Sequence, residues 1–147
     1  MKISAVEPEF VEFIPANLAE GKLYISMVFA TTVHLCACGC RNKVVAPLSL
    51  AEWQLYFDGE SVSLTPSIGN WEYPCLSHYW IKANRIRWAA PWTNDQISAG
   101  RRRDAEALDD YFAGKTPGPH AEDRSRWNVT PGNRFLRKFR EWLSRLS

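Results

Sequence analysis

The stretch His34-Leu35-Cys36-Ala37-Cys38-Gly39-Cys40 is followed later in the chain by Cys75-Leu76-Ser77-His78-Tyr79-Trp80, and the two segments hold all four cysteines and two of the three histidines. Thiolate and imidazole are the ligands that tetrahedral zinc prefers, and structural zinc sites often combine a tight turn with a distant segment. Gly39 stands between two cysteines, where a metal-binding turn needs a residue that tolerates an unusual φ. We therefore predict a fold stapled by zinc, with the ligands Cys36, Cys38, Cys40 and Cys75.

Other roles for these residues stay open at the level of sequence. His78 is an alternative ligand if one cysteine of the crowded C-x-C-x-C run does not turn inward. A free cysteine is also a small apolar residue that is often buried in a core. Disulfides within the run would be strained, and residues 1–9 lack the apolar stretch of a secretory signal. These features predict a cytoplasmic, reducing location, where clustered cysteines favour metal binding or catalysis.

Composition limits the class of protein. The chain has 147 residues, of which 46% are hydrophobic, and a formal net charge of +2. This length allows one domain with a core, and the small charge does not favour nucleic acid or a membrane surface. The longest apolar stretch is far below the roughly 20 residues that span a bilayer. We expect one domain that does not cross a membrane.

Short alternating segments predict a small, antiparallel, β-rich domain. The predicted strands are 9–14, 22–29, 31–36, 43–45, 53–57, 61–64, 78–82 and 85–88. Asp58-Gly59 is a strong hairpin signal, and Ala83-Asn84 is a second plausible tight turn. Strands this short and closely spaced favour an antiparallel sheet.

Beyond Trp92 the pattern becomes helical. Thr93 or Asn94 can cap a helix that runs to Gly114, and Thr130-Pro131 can begin a second helix with one apolar and one basic face. The predicted fold is therefore α+β, a β-rich domain followed by two C-terminal helices. Its parts are a metal-binding core at 1–92, a helix packed on it at 93–114, a linker at 115–129 and an amphipathic helix at 130–147.

Ser77 of the second segment and Ser67, in the predicted turn Pro66-Ser67-Ile68-Gly69, are candidates for nucleophilic catalysis. A serine nucleophile needs a base within hydrogen-bond reach. Neighbouring residues on a strand point to opposite faces, so Ser67 with His78, or Ser77 with His34, is an easier pair than Ser77 with His78. By residue type alone these serines are more often ordinary turn and strand hydroxyls. Neither segment contains a carboxylate, which weakens a zinc-hydrolase interpretation.

The succession of motifs resembles a known bacterial family. The elements that carry the resemblance are 34–40, 47–48, Trp53, 63–68 and 75–81. They are similar to BubE, a family of small proteins encoded in operons with a tandem ubiquitin-like protein and relatives of ubiquitin-activating and ubiquitin-conjugating enzymes. The resemblance covers residues 15–92, and its C-x-C-G-C and C-x-S-H elements are specific in combination.

The resemblance implies a serine-dependent, deubiquitinase-like peptidase that processes or removes a bacterial ubiquitin-like protein. Carried over to this sequence, it implies Ser67 or Ser77 as nucleophile, His78 or His34 as base, and zinc on the cysteines as scaffold. The implied partners are the ubiquitin-like protein and its conjugation enzymes.

A slender ubiquitin-like tail requires a narrow, aromatic-walled cleft, for which Trp71, Tyr79 and Trp80 are the expected walls. The alternative function is that of a non-catalytic zinc-binding adaptor of the same conjugation system. A third interpretation, nucleic-acid binding through the basic face of the segment 130–147, is disfavoured by the near-neutral charge.

Overall fold

A computed structural model describes residues 1–115 of the chain. The described residues form eight strands and one helix. These are β1 (Glu7–Phe10), β2 (Lys22–Ser26), β3 (Thr31–Leu35), β4 (Lys43–Pro47), β5 (Gln54–Phe57), β6 (Val62–Gly69), β7 (His78–Lys82), β8 (Arg85–Trp88) and α1 (Asn94–Phe112). The β-rich part and the helix after it agree with the sequence prediction. The predicted linker beyond Lys115 and the predicted helix at 130–147 lie outside the described residues.

The strands form two four-stranded sheets, each in sequence order, β1-β2-β3-β4 and β5-β6-β7-β8. Five of the six adjacent pairs are antiparallel, as predicted. The sixth corrects the prediction, because β1 runs parallel to β2, with Glu7 opposite Lys22. The connection at 11–21 is long enough to bring the chain back in the same direction. β1 also begins and ends earlier than the strand predicted at 9–14.

Both predicted tight turns join strands of the second sheet. Between β5 and β6, a side-chain oxygen of Asp58 accepts backbone hydrogen bonds from Glu60 and Ser61, at 2.9 and 2.6 Å. Between β7 and β8, Ala83 and Asn84 both have positive φ, as a two-residue hairpin turn requires. These local turns fix the register in which β7 pairs with β8.

One cluster of buried apolar side chains is shared by the two sheets. Its fully buried members include Leu23, Ile25, Val62, Leu64, Tyr79 and Ile81. Because side chains alternate along a strand, the inward positions of Tyr79 and Ile81 turn His78 and Trp80 to the opposite face of β7. The core therefore decides which side chains of β7 are available for chemistry.

The helix α1 begins at a complete capping box. The Thr93 hydroxyl accepts a hydrogen bond from the Gln96 N–H at 3.3 Å, and Gln96 Oε1 accepts one from the Thr93 N–H at 2.8 Å. Gly114 follows the helix with a φ of +73°, a conformation that often ends helices. No helix among residues 1–115 is both long enough and apolar enough to cross a membrane.

Candidate functional site

The four cysteine sulfurs come together in one cluster. Cys36, Cys38 and Cys40 lie on the turn between β3 and β4, and Cys75 lies in the loop between β6 and β7. All four sulfur atoms lie within 4.8 Å of one another. The turn is closed where the Cys36 N–H donates to the Asn42 carbonyl, at 2.8 Å. The cluster therefore connects the two sheets.

The geometry of the cluster fits a tetrahedral metal. With zinc–sulfur bonds of about 2.3 Å, a regular tetrahedron has sulfur–sulfur edges of about 3.8 Å. The Cys40 and Cys75 sulfurs are 3.8 Å apart, and those of Cys36 and Cys38 are 3.4 Å apart. All four cysteines are free of disulfides. The cluster can therefore hold a metal ion, and four sulfur donors are compatible with zinc.

Gly39 is required by the shape of the cysteine turn. Its φ is +87°, which side chains disfavour, and a Cβ at this position would collide with the backbone of Met1. The reason for glycine is therefore both the backbone conformation and the close approach of the N-terminal segment.

The thiols differ in how readily they ionise. Burial raises the pKa of Cys36, and burial together with the hydrogen bond to Cys40 raises the pKa of Cys38 to about 12. At Cys40 burial also opposes ionisation, but the backbone N–H of Asn42 and the neighbouring thiols outweigh it and lower the pKa to about 7. A bound cation would displace the remaining protons, so metal affinity depends on pH.

Ser77 belongs to the surroundings of the cysteine cluster. Its hydroxyl is buried, accepts a hydrogen bond from the side-chain amide of Asn70 at 2.8 Å, and lies 3.1 Å from the Cys36 sulfur. Beside a Cys36 thiolate, the Ser77 hydroxyl must be the donor in this contact. The Ser77 side chain therefore faces the cysteine cluster.

His34 lies in the core, where its partner is Tyr79. Its Nε2 is 2.8 Å from the Tyr79 hydroxyl, and its relative exposure is 0%. Burial lowers the pKa of His34 from 6.5 to about 4, because the charged imidazolium would lose its hydration. The pair of Ser77 with His34, which sequence alone allows, does not form. At neutral pH His34 is an uncharged core residue.

The structure brings Ser67 and His78 together. The Ser67 hydroxyl lies 2.9 Å from Nε2 of His78. Ser67 is half-buried, and His78 is buried with a relative exposure of 5%. This geometry places a hydroxyl within hydrogen-bond reach of an imidazole nitrogen, which is the arrangement that a general base needs to activate a serine.

A register shift in the second sheet produces this contact. Leu64 pairs with Ile81 and Ile68 pairs with Tyr79, so β6 advances four residues while β7 advances two. Such a bulge changes the direction in which a side chain points. Beyond the bulge Gly69 pairs with His78, and Ser67, two residues before Gly69, shares its face.

Within residues 1–115, three indole rings lie against the His78 imidazole. The ring centroids of Trp71, Trp80 and Trp92 lie 5.0, 5.5 and 4.7 Å from that of His78. A Cβ on Gly69 would collide with the Trp71 ring, so glycine at that position lets the indole cover the strand beside the imidazole. The site is thus walled by aromatic side chains.

Two expectations about the surroundings of the site need correction. Tyr79, expected as a wall of the cleft, is fully buried on the opposite face of β7, as strand alternation beside His78 and Trp80 would have predicted. Sequence reasoning missed Trp92, which lies 14 residues after His78 and gives no sequence signal of this contact.

Two carboxylates near the predicted site in sequence have other partners. Asp58 binds the backbone and hydroxyl of Ser61 within its own turn. Glu72 forms an ion pair with Arg101 of α1.

Comparison with protein families defines the class of protein. Residues 10–89 match a family model described as a bacterial ubiquitination-like system serine protease. This match spans more than half of the chain, so the chain belongs to that family, BubE, and the resemblance seen in the sequence is confirmed. No curated protein and no solved structure matches the chain. The matched residues contain the four cysteines, Ser67 and His78, whereas α1 lies beyond them.

Proposed function

We propose that this chain is a serine-type, deubiquitinase-like peptidase that processes or removes a bacterial ubiquitin-like protein, with Ser67 as nucleophile and His78 as general base. The observation that carries the proposal is the 2.9 Å contact between the Ser67 hydroxyl and Nε2 of His78. Membership of a family of serine proteases from bacterial ubiquitination-like systems supports the reaction class and the kind of substrate.

The proposed reaction proceeds by acyl transfer. Nε2 of His78 takes the Ser67 proton while the oxygen attacks the carbonyl carbon of the scissile bond. The imidazolium then gives this proton to the leaving amine, and an acyl–Ser67 ester remains. Water, deprotonated by the same nitrogen, hydrolyses the ester and restores the hydroxyl. Burial of the imidazole among indoles keeps bulk water from competing for Nε2.

We assign the cysteine cluster a structural role with zinc. Four sulfur donors complete a tetrahedral shell, and catalytic zinc sites keep one position open for water or substrate. Ser77 is separated from the proposed reaction, because its hydroxyl contacts the Cys36 sulfur at 3.1 Å. Zinc would hold the turn between β3 and β4 against the loop that precedes β7, and so help to keep His78 in place.

The test is cleavage of a tandem ubiquitin-like protein by the full chain and by two matched variants. Ser67→Ala should lower kcat by about 10³-fold or more, as loss of a serine nucleophile does. Ser77→Ala, a change of the same size ten residues away, should keep turnover within about tenfold, since its role is structural. Both variants are compared with the parent chain by circular dichroism and metal content, so that misfolding is recognised.

Two outcomes would overturn the proposal. Full turnover by a folded Ser67→Ala variant would exclude Ser67 as nucleophile. Binding of the ubiquitin-like protein by the parent chain without any cleavage would favour the non-catalytic, zinc-binding adaptor instead.

A further inference from the structure

The helix α1 contributes little to the core that the two sheets share. Of its 19 residues, only Gly100 is buried. A helix that buried an apolar stripe in a core would carry large apolar side chains on that face. Two described contacts of α1, those of Gly100 and Arg101, lie beside the aromatic wall around His78.

Trp92, just before α1, fills one side of this wall. Its ring stacks on Trp71 with centroids 5.4 Å apart and an interplanar angle of 18°. The same ring meets the His78 imidazole edge to face, with centroids 4.7 Å apart. These are favourable geometries for aromatic pairs. The centroids of Trp71 and Trp80 lie farther from that of His78, at 5.0 and 5.5 Å.

The helix supports Trp92 from behind. A Cβ on Gly100 would lie 2.9 Å from Cζ3 of the Trp92 ring, so the indole packs directly on the helix backbone. Arg101, the next residue, forms the ion pair with Glu72, in the loop that carries Trp71. The capping box at Thr93 fixes the first helical turn directly after Trp92. The helix backbone thus contacts the indole directly, and the ion pair and the capping box hold the segments on either side of it.

We infer that Trp92, backed by Gly100 of α1, is a positioning residue that holds the His78 imidazole toward Ser67. This inference rests on the proposed function. An imidazole can turn about its side-chain bonds, and a turn would carry Nε2 away from the 2.9 Å contact with the hydroxyl. Trp92 blocks one side of that movement. Small displacements of a catalytic group lower the rate of the chemical step far more than they lower substrate binding.

The first test compares Trp92→Ala with the conservative variant Trp92→Phe in cleavage of a tandem ubiquitin-like protein by the full chain. Trp92→Ala should lower kcat by about 10- to 100-fold with KM nearly unchanged. Trp92→Phe keeps a flat ring against His78 and should recover most of the loss. Parent-like kcat in Trp92→Ala, no recovery in Trp92→Phe, or a rise in KM alone would overturn the inference.

The second test separates positioning from helix stability. Alanine favours helix more than glycine or serine does, so Gly100→Ala and its control Ser98→Ala should both strengthen α1. Only the methyl group at residue 100 meets the Trp92 ring, whereas Ser98 is exposed. Gly100→Ala should therefore lower kcat, whereas Ser98→Ala should leave kcat unchanged. Equal kcat in the two variants would contradict the inference.

A third measurement does not depend on activity. The nuclear Overhauser effects between the His78 ring protons and the Ser67 side chain, assigned in the NMR spectrum by comparison with His78→Gln, should weaken in Trp92→Ala and stay unchanged in Ser98→Ala, because the imidazole would turn away from Ser67 only in the first variant. If the parent chain has no peptidase activity, the proposed function fails. The NMR comparison then still decides whether Trp92 holds the ring, and unchanged Overhauser effects in Trp92→Ala would overturn that inference.

Discussion

Ser77 and His78 are neighbours in the chain, yet they belong to two different environments. The Ser77 side chain faces the cysteine cluster, where it contacts the Cys36 sulfur and the Asn70 amide. The His78 side chain faces the other way, toward Ser67 and three indoles. The comparison shows that the motif C-x-S-H presents side chains to two faces, with Ser77 against the cysteine cluster and His78 against Ser67.

The two histidines differ in the same way. His34 is enclosed by the core, where burial lowers its pKa to about 4. His78 has a hydroxyl within reach of its Nε2, and that hydroxyl is half-buried. The environment of a histidine therefore cannot be predicted from its closeness to the cysteines in sequence. The environment depends on the face of the strand to which the side chain points.

The largest effect should follow removal of the metal. Chelation, or replacement of Cys75 by serine, should destabilise the chain on the order of 10 kcal/mol, which is comparable with the whole stability of a small domain. The physical reason is that bonds from one metal ion to all four sulfurs would hold the turn between β3 and β4 against the loop before β7, so the free energy of metal binding would contribute to folding. Elemental analysis and thermal unfolding followed by circular dichroism check this. An unchanged unfolding temperature after chelation would contradict the proposal that a bound metal stabilises the fold.

The next largest effect separates the two histidines. His78→Gln should lower kcat by about 10³- to 10⁴-fold, because glutamine can donate a hydrogen bond but cannot accept the serine proton at neutral pH. His34→Gln should keep kcat, since its side-chain amide can replace the hydrogen bond to Tyr79. Steady-state cleavage of the same tandem substrate measures both. Similar losses of kcat in the two variants would break the distinction between the two faces.

The pH dependence of stability should report on His34. The folded-state pKa of about 4 lies below the ordinary value of 6.5, so between these pH values the unfolded chain binds more protons. Stability should therefore fall as the pH decreases from 6.5 to 4, by about 3 kcal/mol from this group. Denaturant unfolding of the parent chain and His34→Gln measures the difference in slope. Metal release affects both chains, so equal slopes would contradict the buried, neutral assignment.

The smallest of these effects concerns Ser77. Removal of its hydrogen bond to Cys36 in Ser77→Ala should weaken metal affinity by about 10- to 100-fold, as changes in groups that support metal ligands do. Ser67→Ala is the matched control and should leave the affinity unchanged, because its hydroxyl contacts His78 and not sulfur. Competition with a chromophoric chelator measures both. An equal loss of metal affinity in Ser67→Ala and Ser77→Ala would contradict the assignment of the two serines to different environments.

Local features of the fold could be predicted from the sequence. The turns at Asp58-Gly59 and Ala83-Asn84 depend on a few neighbouring residues, and the structure has both. The grouping of the four cysteines was also predictable, because thiolates are preferred zinc ligands and a structural zinc site needs four ligands close together. In contrast, the parallel pairing of β1 with β2 depends on the path of the connecting residues 11–21. The local sequence pattern of the strands does not predict that path.

The candidate site was predictable only in part. Residue types and strand alternation left two serines and two histidines as alternatives. The bulge between Leu64 and Ile68 selects the contact of Ser67 with His78, and a bulge of this kind depends on pairing between strands. Trp92 reaches His78 because α1 folds back over the loop at Glu72, which is a tertiary contact without a sequence signal.

The most direct test of the central claim is to locate the reactive hydroxyl. The full chain is treated with a serine-directed fluorophosphonate, and the modified residue is identified by peptide mass spectrometry. The account predicts an adduct on Ser67 in the parent chain and its loss in His78→Gln, since Nε2 of His78 lies 2.9 Å from that hydroxyl. An adduct on Ser77, with Ser67 unmodified, would contradict the account.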